Sequence, residues 1–168
     1  LDPRNIYVRD SSLGGTTLTS DLTNVDQYAD GGTTSYRVNS SIIESAITSG
    51  TNVILKAQRN IYVRSDIIAT GSSGGDLTLN AGVDIEISAN ITTANGNLTL
   101  EADNESISGR GNNRYSDIDI SSTINLGTGD LNITLGNSNT TGSYDIDLSA
   151  ATINANNITI TDSATNTS

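Results

Sequence analysis

Carboxylates dominate the chemistry available to this chain. Asp84-Ile85-Glu86-Ile87-Ser88 recurs as Asp117-Ile118-Asp119-Ile120-Ser121 and again as Asp145-Ile146-Asp147-Leu148-Ser149. If these segments lie side by side as strands, the alternation places Asp84, Glu86, Asp117, Asp119, Asp145 and Asp147 on one outer face, in columns about 5 Å apart. Facing carboxylates of this kind bind calcium weakly in extracellular modules, and calcium is the one cofactor the sequence raises. Neighbours at that spacing repel by only about 0.8 kcal/mol per pair in water, so a solvated acidic face that binds nothing is the plainer reading. No D-x-D-x-D-G loop or G-G-x-G-x-D nonapeptide supports the metal. Lys56, Arg59 and Arg64 fall in the segment before Asp84 and Glu86, so the parts of a lyase acting on acidic polysaccharides are nominally present. No pocket-forming aromatic residues accompany them, and the sequence reads as non-catalytic.

Two further groups could contact a partner. Arg110, Asn112, Asn113, Arg114 and Tyr115 cluster in one stretch, and Asn137, Asn139 and Tyr144 in another. Cations, amides and aromatic rings together suit stacking and hydrogen bonding to a sugar, including an acidic one. Eight Asn-x-Ser/Thr sequons occur, at Asn39, Asn90, Asn97, Asn104, Asn132, Asn139, Asn157 and Asn166. A chain so rich in Asn, Ser and Thr produces about five by chance, so glycosylation is an expectation rather than a deduction.

Other chemistries are closed. Without Cys or His there is no thiol chemistry, no Cys/His zinc site and no imidazole base. Eight Lys and Arg against 19 Asp and Glu give a net charge of −11, which repels phosphate backbones and excludes nucleic acid as a partner. No apolar run approaches the ~20 residues of a membrane-spanning helix, so membrane insertion is not expected.

What positions these groups is a repeat. Asn52-Val53-Ile54-Leu55-Lys56-Ala57 aligns with Asp76-Leu77-Thr78-Leu79-Asn80-Ala81, and further units start at Leu98, Leu131 and Ile158. Each unit carries three short alternating segments, the third around Ile67, Ile91, Ile124 or Ile153. Strands this short cannot bury one apolar face alone, but stacked units pair equivalent strands in parallel and align their Ile, Leu and Val as ladders. The expected fold is all-β: a right-handed parallel β-helix of four to five coils, about 21 residues each before insertions, with handedness following from the chirality of parallel crossovers. A β-sandwich also accommodates many short strands, but does not explain a repeat kept in three columns. The composition agrees: Leu, Ile and Val make 39 of 168 residues, with no Phe, Trp or Met, so the core is thin and aliphatic.

The coils are expected over residues 52–168, with insertions near 105–116 and 136–144 that emerge at one corner, one coil apart. Residues 1–51 read as an entry strand around Ile6 and Val8, a long loop, and a short helix from Ser41 to Thr48. Ser41 to Glu44 has capping-box form and Gly50 is the stop. The helix is the nearest candidate to cover one end of the coil stack.

The segment Leu1-Asp2-Pro3-Arg4-Asn5-Ile6, then Val38-Asn39, the Ile-Glu-Ser-Ala helix, Gly50-Thr51-Asn52-Val53 and the Leu-Thr-Leu-Asn-Ala-Gly unit resemble, in that order, filamentous-haemagglutinin-like exoproteins of two-partner secretion systems. The resemblance covers essentially the whole chain. It implies a β-helical segment of a larger, secreted, high-molecular-weight adhesin on the surface of a Gram-negative bacterium. Export would use an outer-membrane partner pore, and contacts would be host-cell receptors or glycans. The family offers no catalytic residues to carry over. A purely structural spacer and a polysaccharide-active enzyme are the alternatives. The resemblance also implies that the chain, starting at Leu1, is part of a longer exoprotein, and that some sequons carry sugar.

Overall fold

The computed structural model describes residues 3–10, 17–18, 35–104, 115–136 and 143–162. In chain order, β1 (Asn5–Val8), β2 (Thr17–Leu18), β3 (Ser35–Val38) and α1 (Ser40–Thr48) come first. Then the chain runs in coils of three strands: β4 (Val53–Ala57), β5 (Asn60–Val63), β6 (Ile67–Ile68); β7 (Leu77–Ala81), β8 (Ile85–Ile87), β9 (Ile91–Thr92). Two more coils follow: β10 (Leu98–Ala102), β11 (Tyr115–Ile120), β12 (Thr123–Asn125); β13 (Leu131–Leu135), β14 (Ser143–Asp147), β15 (Thr152–Asn154), with β16 (Ile158–Asp162) last.

Equivalent strands pair in parallel and form three sheets. Sheet 1 has the order β14-β11-β8-β5-β1-β3-β2, sheet 2 β16-β13-β10-β7-β4, and sheet 3 β15-β12-β9-β6. This is the parallel β-helix that the repeat implies; a sandwich would need antiparallel neighbours. Inward residues stack as ladders: Val53, Leu77, Leu98, Leu131, Ile158 in sheet 2, Ile6, Ile61, Ile85, Ile118, Ile146 in sheet 1, and Ile67, Ile91, Ile124, Ile153 in sheet 3. Outside sheet 2, Ile54, Thr78, Thr99, Asn132 and Thr159 form the one column that Leu-Thr-Leu spacing requires, and Lys56, Asn80, Glu101, Thr134 and Thr161 run beside it.

The corners are tied by a recurring device. Where a strand begins, an Asn or Asp side chain accepts the backbone N–H of its counterpart one coil on: Asn52 from Asp76, Asp76 from Asn97, Asn97 from Asp130, each at 2.8 Å, and Asp130 from Asn157 at 3.1 Å. A second corner runs Asp66, Asn90, Thr123, and a third includes Asp84 and Asp117. These side chains satisfy amides that turn away from the ladder at a bend, where a missing partner costs about 1–3 kcal/mol. Glycine stacks in the same way: a Cβ on Gly75, Gly96 or Gly129 would collide with the carbonyl oxygen of the preceding coil.

The two ends differ. At the N-terminal end α1 lies against β6 and β4, with Ile43 and Ile47 fully buried on the ladders. Its Glu44 carboxylate accepts the Ile68 N–H at 3.0 Å and Thr48 accepts the Thr70 N–H at 3.2 Å, so helix side chains satisfy the free edge of sheet 3. The cap is therefore not the expected Ser41–Glu44 box. Asn39 is the N-cap, accepting from Ser41 N–H, and Glu44 is drawn off to the neighbouring strand. The helix ends as Gly50 predicts, with φ +81° and bonds Gly50 N–H to Ile47 O and Thr51 N–H to Ala46 O. At the other end Ile158 and Ile160, on the last strand of sheet 2, are half exposed. β1, read from sequence as an entry strand, is a full rung of sheet 1: its Asn5-Ile6-Tyr7-Val8 pairs in register with Asn60-Ile61-Tyr62-Val63.

Candidate functional site

The outer face of sheet 1 carries most of the chemistry. Register places two outward columns side by side. One runs Ser35, Asn5, Asn60, then Asp84, Asp117 and Asp145; the other runs Arg37, Tyr7, Tyr62, then Glu86, Asp119 and Asp147. The six carboxylates singled out in the sequence thus share one face, in the columns expected of them.

Their charges are not fully compensated. Asp84 accepts the Asp117 N–H at 3.2 Å, yet burial, with the Asp117 and Glu86 carboxylates nearby, pushes its carboxyl up to about 6. Asp117 is raised for the same reason, burial first and Asp145 next. Asp147 is lowered instead, because the Ser149 hydroxyl and N–H both donate to it. Among the described residues no group of three or more carboxylates converges closely enough to hold a metal ion. The geometry is a ladder of neighbours in a line, and calcium needs six to eight oxygens around one point.

Beside the carboxylates lies a band of cations and rings. Tyr7 and Tyr62 stack with centroids 4.8 Å apart and planes 15° apart. The Arg9 guanidinium stands over Tyr7 at 5.1 Å and that of Arg64 over Tyr62 at 5.3 Å. Arg64 also reaches Glu86 at 2.7 Å, while Asn60 donates to the Tyr62 hydroxyl at 2.7 Å. The source is a repeat outside the period that starts at residue 52: Arg-Asn-Ile-Tyr-Val-Arg occurs at 4–9 and again at 59–64. Stacking of the two hexapeptides turns single Tyr and Arg residues into pairs.

Of the three cations considered for a lyase, two lie beside the carboxylates and one does not. Lys56 lies on sheet 2, in register with Asn80, away from Asp84. Arg64 is held by Glu86, and Arg59 acts on Asp84 as a favourable charge.

Of the expected sugar-contacting residues, Arg110, Asn112, Asn113, Arg114, Asn137 and Asn139 lie outside the described residues. Tyr115 opens β11 and pairs with Ser143. Tyr144 is in register with the buried Ser116 and packs against the hydrophobic core, so it is a supporting residue at the root of its loop rather than a free ring. Both insertions leave sheet 2 for sheet 1 at the same corner: Gly136, following β13, donates its N–H to Ala102 O, at the end of β10.

Among the sequons, Asn39 caps α1, Asn132 sits half-buried in β13, and half-buried Asn104 donates to Glu101. Asn90 and Asn97 belong to the corner ladders through Oδ1, not through the Nδ2 that a sugar would take. Asn157 uses Nδ2 to bond Asp130, which, with Asn156, holds that carboxyl below its usual range. Asn139 and Asn166 lie outside the described residues.

No protein family matches this chain, and no curated protein or solved structure shows significant similarity to it.

Proposed function

We propose that this chain is a non-catalytic segment of a secreted bacterial surface adhesin: a β-helical stalk whose loop corner, near residues 105–116 and 136–144, meets host-cell receptors or glycans. One observation carries the reading. Three parallel sheets repeat in register with like residues in each column, and both long insertions leave the stack at a single corner. A stack of this kind extends by about 4.8 Å per coil and holds its loops at fixed spacing on a stiff support, which suits display rather than turnover.

Further support comes from the order of sequence features that resembles filamentous-haemagglutinin-like exoproteins, with the secretion route and cell-surface location that this implies. The absence of Cys suits a chain that crosses the periplasm unfolded. Asn90 is the sequon on the described surface best suited to carry sugar, being exposed with its Oδ1 alone engaged. Among the described residues calcium has no converging ligand set on this face, and it forms no part of the proposal.

The test sets the two classes of function against each other. The purified chain is incubated with a panel of acidic polysaccharides, and unsaturated products are followed by ultraviolet absorbance. In parallel, it is applied to a glycan array and to host cells. Binding without turnover is the expected result; turnover that falls on Arg64→Ala would replace this reading with the enzymatic one.

A further inference from the structure

We propose that the outer face of sheet 1 is a self-complementary surface that docks a second copy of this chain with its coil axis reversed. Followed from β3 to β14, the central outward column is Arg37, Tyr7, Tyr62, Glu86, Asp119, Asp147. Arg9 and Arg64 lie over the two rings, so the first half is cationic and aromatic and the second half anionic. Every Lys and Arg among the described residues precedes residue 65, so among these residues the division is not confined to one pair.

A two-fold axis lying in the interface, parallel to the strands and between β5 and β8, reverses the coil axis of the second copy and brings each half of one face onto the opposite half of the other. Arg37 then faces Asp147, Tyr7 with its Arg9 faces Asp119, and Tyr62 with its Arg64 faces Glu86. The adjacent column is compatible, with Asn5 and Asn60 amides opposite Asp117 and Asp84. Axes running the same way would set carboxylate on carboxylate. The pairing is isologous, so each contact occurs twice.

Arg9 is the residue that most needs this partner. Its guanidinium stands over Tyr7 and forms no ion pair among the described residues. On the other half, Asp84, Asp117 and Asp145 follow one another along a single column, with Glu86, Asp119 and Asp147 beside them. Each half therefore carries a charge opposite to that of the half it meets on a second copy.

The contact is small. Six strands at ~4.8 Å and about five residues of each at ~3.3 Å give roughly 475 Å² of face per copy, against ~800 Å² for a standard stable interface. The pairing is accordingly weak, and is strengthened where many copies stand together on one surface. Two copies of net charge −11 also repel at long range. At 0.15 M salt the ~8 Å Debye length screens that repulsion while leaving contact pairs; at 1 M, with ~3 Å, the pairs weaken too.

Sedimentation velocity on the intact chain tests this. At 0.15 M salt and several hundred micromolar, wild type should show a dimer that dissociates in 1 M salt. Arg9→Glu and Asp119→Arg should each weaken dimerisation by at least about tenfold, since each homodimer then holds two like-charge contacts. Mixing the two variants should restore it. In the mixed dimer the two introduced side chains face each other with opposite charge, and the unchanged Arg9 of one copy faces the unchanged Asp119 of the other. Restoration by mixing also shows that both variants fold. A monomeric wild type, an Arg9→Glu dimer as tight as wild type, or a mixture that stays monomeric would each overturn the proposal. So would salt-resistant oligomers indifferent to both substitutions, which would assign association to the open coil at Ile158 and Ile160.

Discussion

Replacing Asp84 with Asn should stabilise this protein at neutral pH, although Asp84 accepts a hydrogen bond that ties two coils. The amide oxygen of Asn keeps the bond from Asp117 N–H and removes the charge that burial and the neighbouring carboxylates penalise. Raising the carboxyl from 3.8 to about 6 is worth about 3 kcal/mol if fully expressed. Asp84 keeps part of its surface in water, so screening reduces this to about 1–2 kcal/mol. The sign follows from linkage. The native state holds the Asp84 proton more tightly than the unfolded chain, so this contribution to stability is complete below pH 3.8. It is lost as pH rises through about 6, and is absent above that. Urea unfolding followed by circular dichroism, from about pH 4 to 8, should give a variant more stable than wild type at neutral pH, with the difference vanishing at the acid end. Comparing the two proteins at each pH cancels the titration of all other carboxylates. A variant no more stable than wild type at neutral pH, or a difference independent of pH, would refute the electrostatic account of this column.

Three further outcomes follow from the packing. Gly96→Ala should destabilise by about 1–3 kcal/mol or prevent folding, because the new Cβ meets the Gly75 carbonyl oxygen; its thermal midpoint against that of Thr99→Ala, an outward change, is the check. Asn97→Ala leaves the Asp130 N–H without its acceptor and should cost about 1–2 kcal/mol in urea unfolding, with Asn97→Asp recovering most of it. Ile43→Ala should cost about 2–4 kcal/mol and promote association, since it opens the cap over the N-terminal ladders; sedimentation and thermal unfolding read the two effects.

The coils were legible because most inward positions hold Ile, Leu, Val or Ala, and the column repeats that choice at Leu77, Leu98 and Leu131. The acidic face followed from the same alternation. The rung at Asn5–Val8 was harder to see, since the chain between it and its partner at Asn60 holds two further short strands and a helix that obey no period. The clue was identity rather than periodicity: the hexapeptide at residues 4–9 reappears unchanged at 59–64. The helix cap misled because Ser41 and Glu44 satisfy a local pattern, whereas Glu44 has a stronger use on the free edge at Ile68. Tyr144 likewise read as a loop residue, but its register with Ser116 sends it inward.

The proposed display of a binding corner is tested most directly by adhesion of the purified chain to host cells or to an immobilised glycan, comparing wild type with an Arg114→Ala, Tyr115→Ala double variant. Neither residue takes part in the Ile, Leu and Val ladders, so circular dichroism of the variant should match wild type. Wild type is expected to adhere, and the variant to lose most of this adhesion. A wild-type chain that adheres nowhere, or a folded variant that adheres as well as wild type, would contradict the proposal.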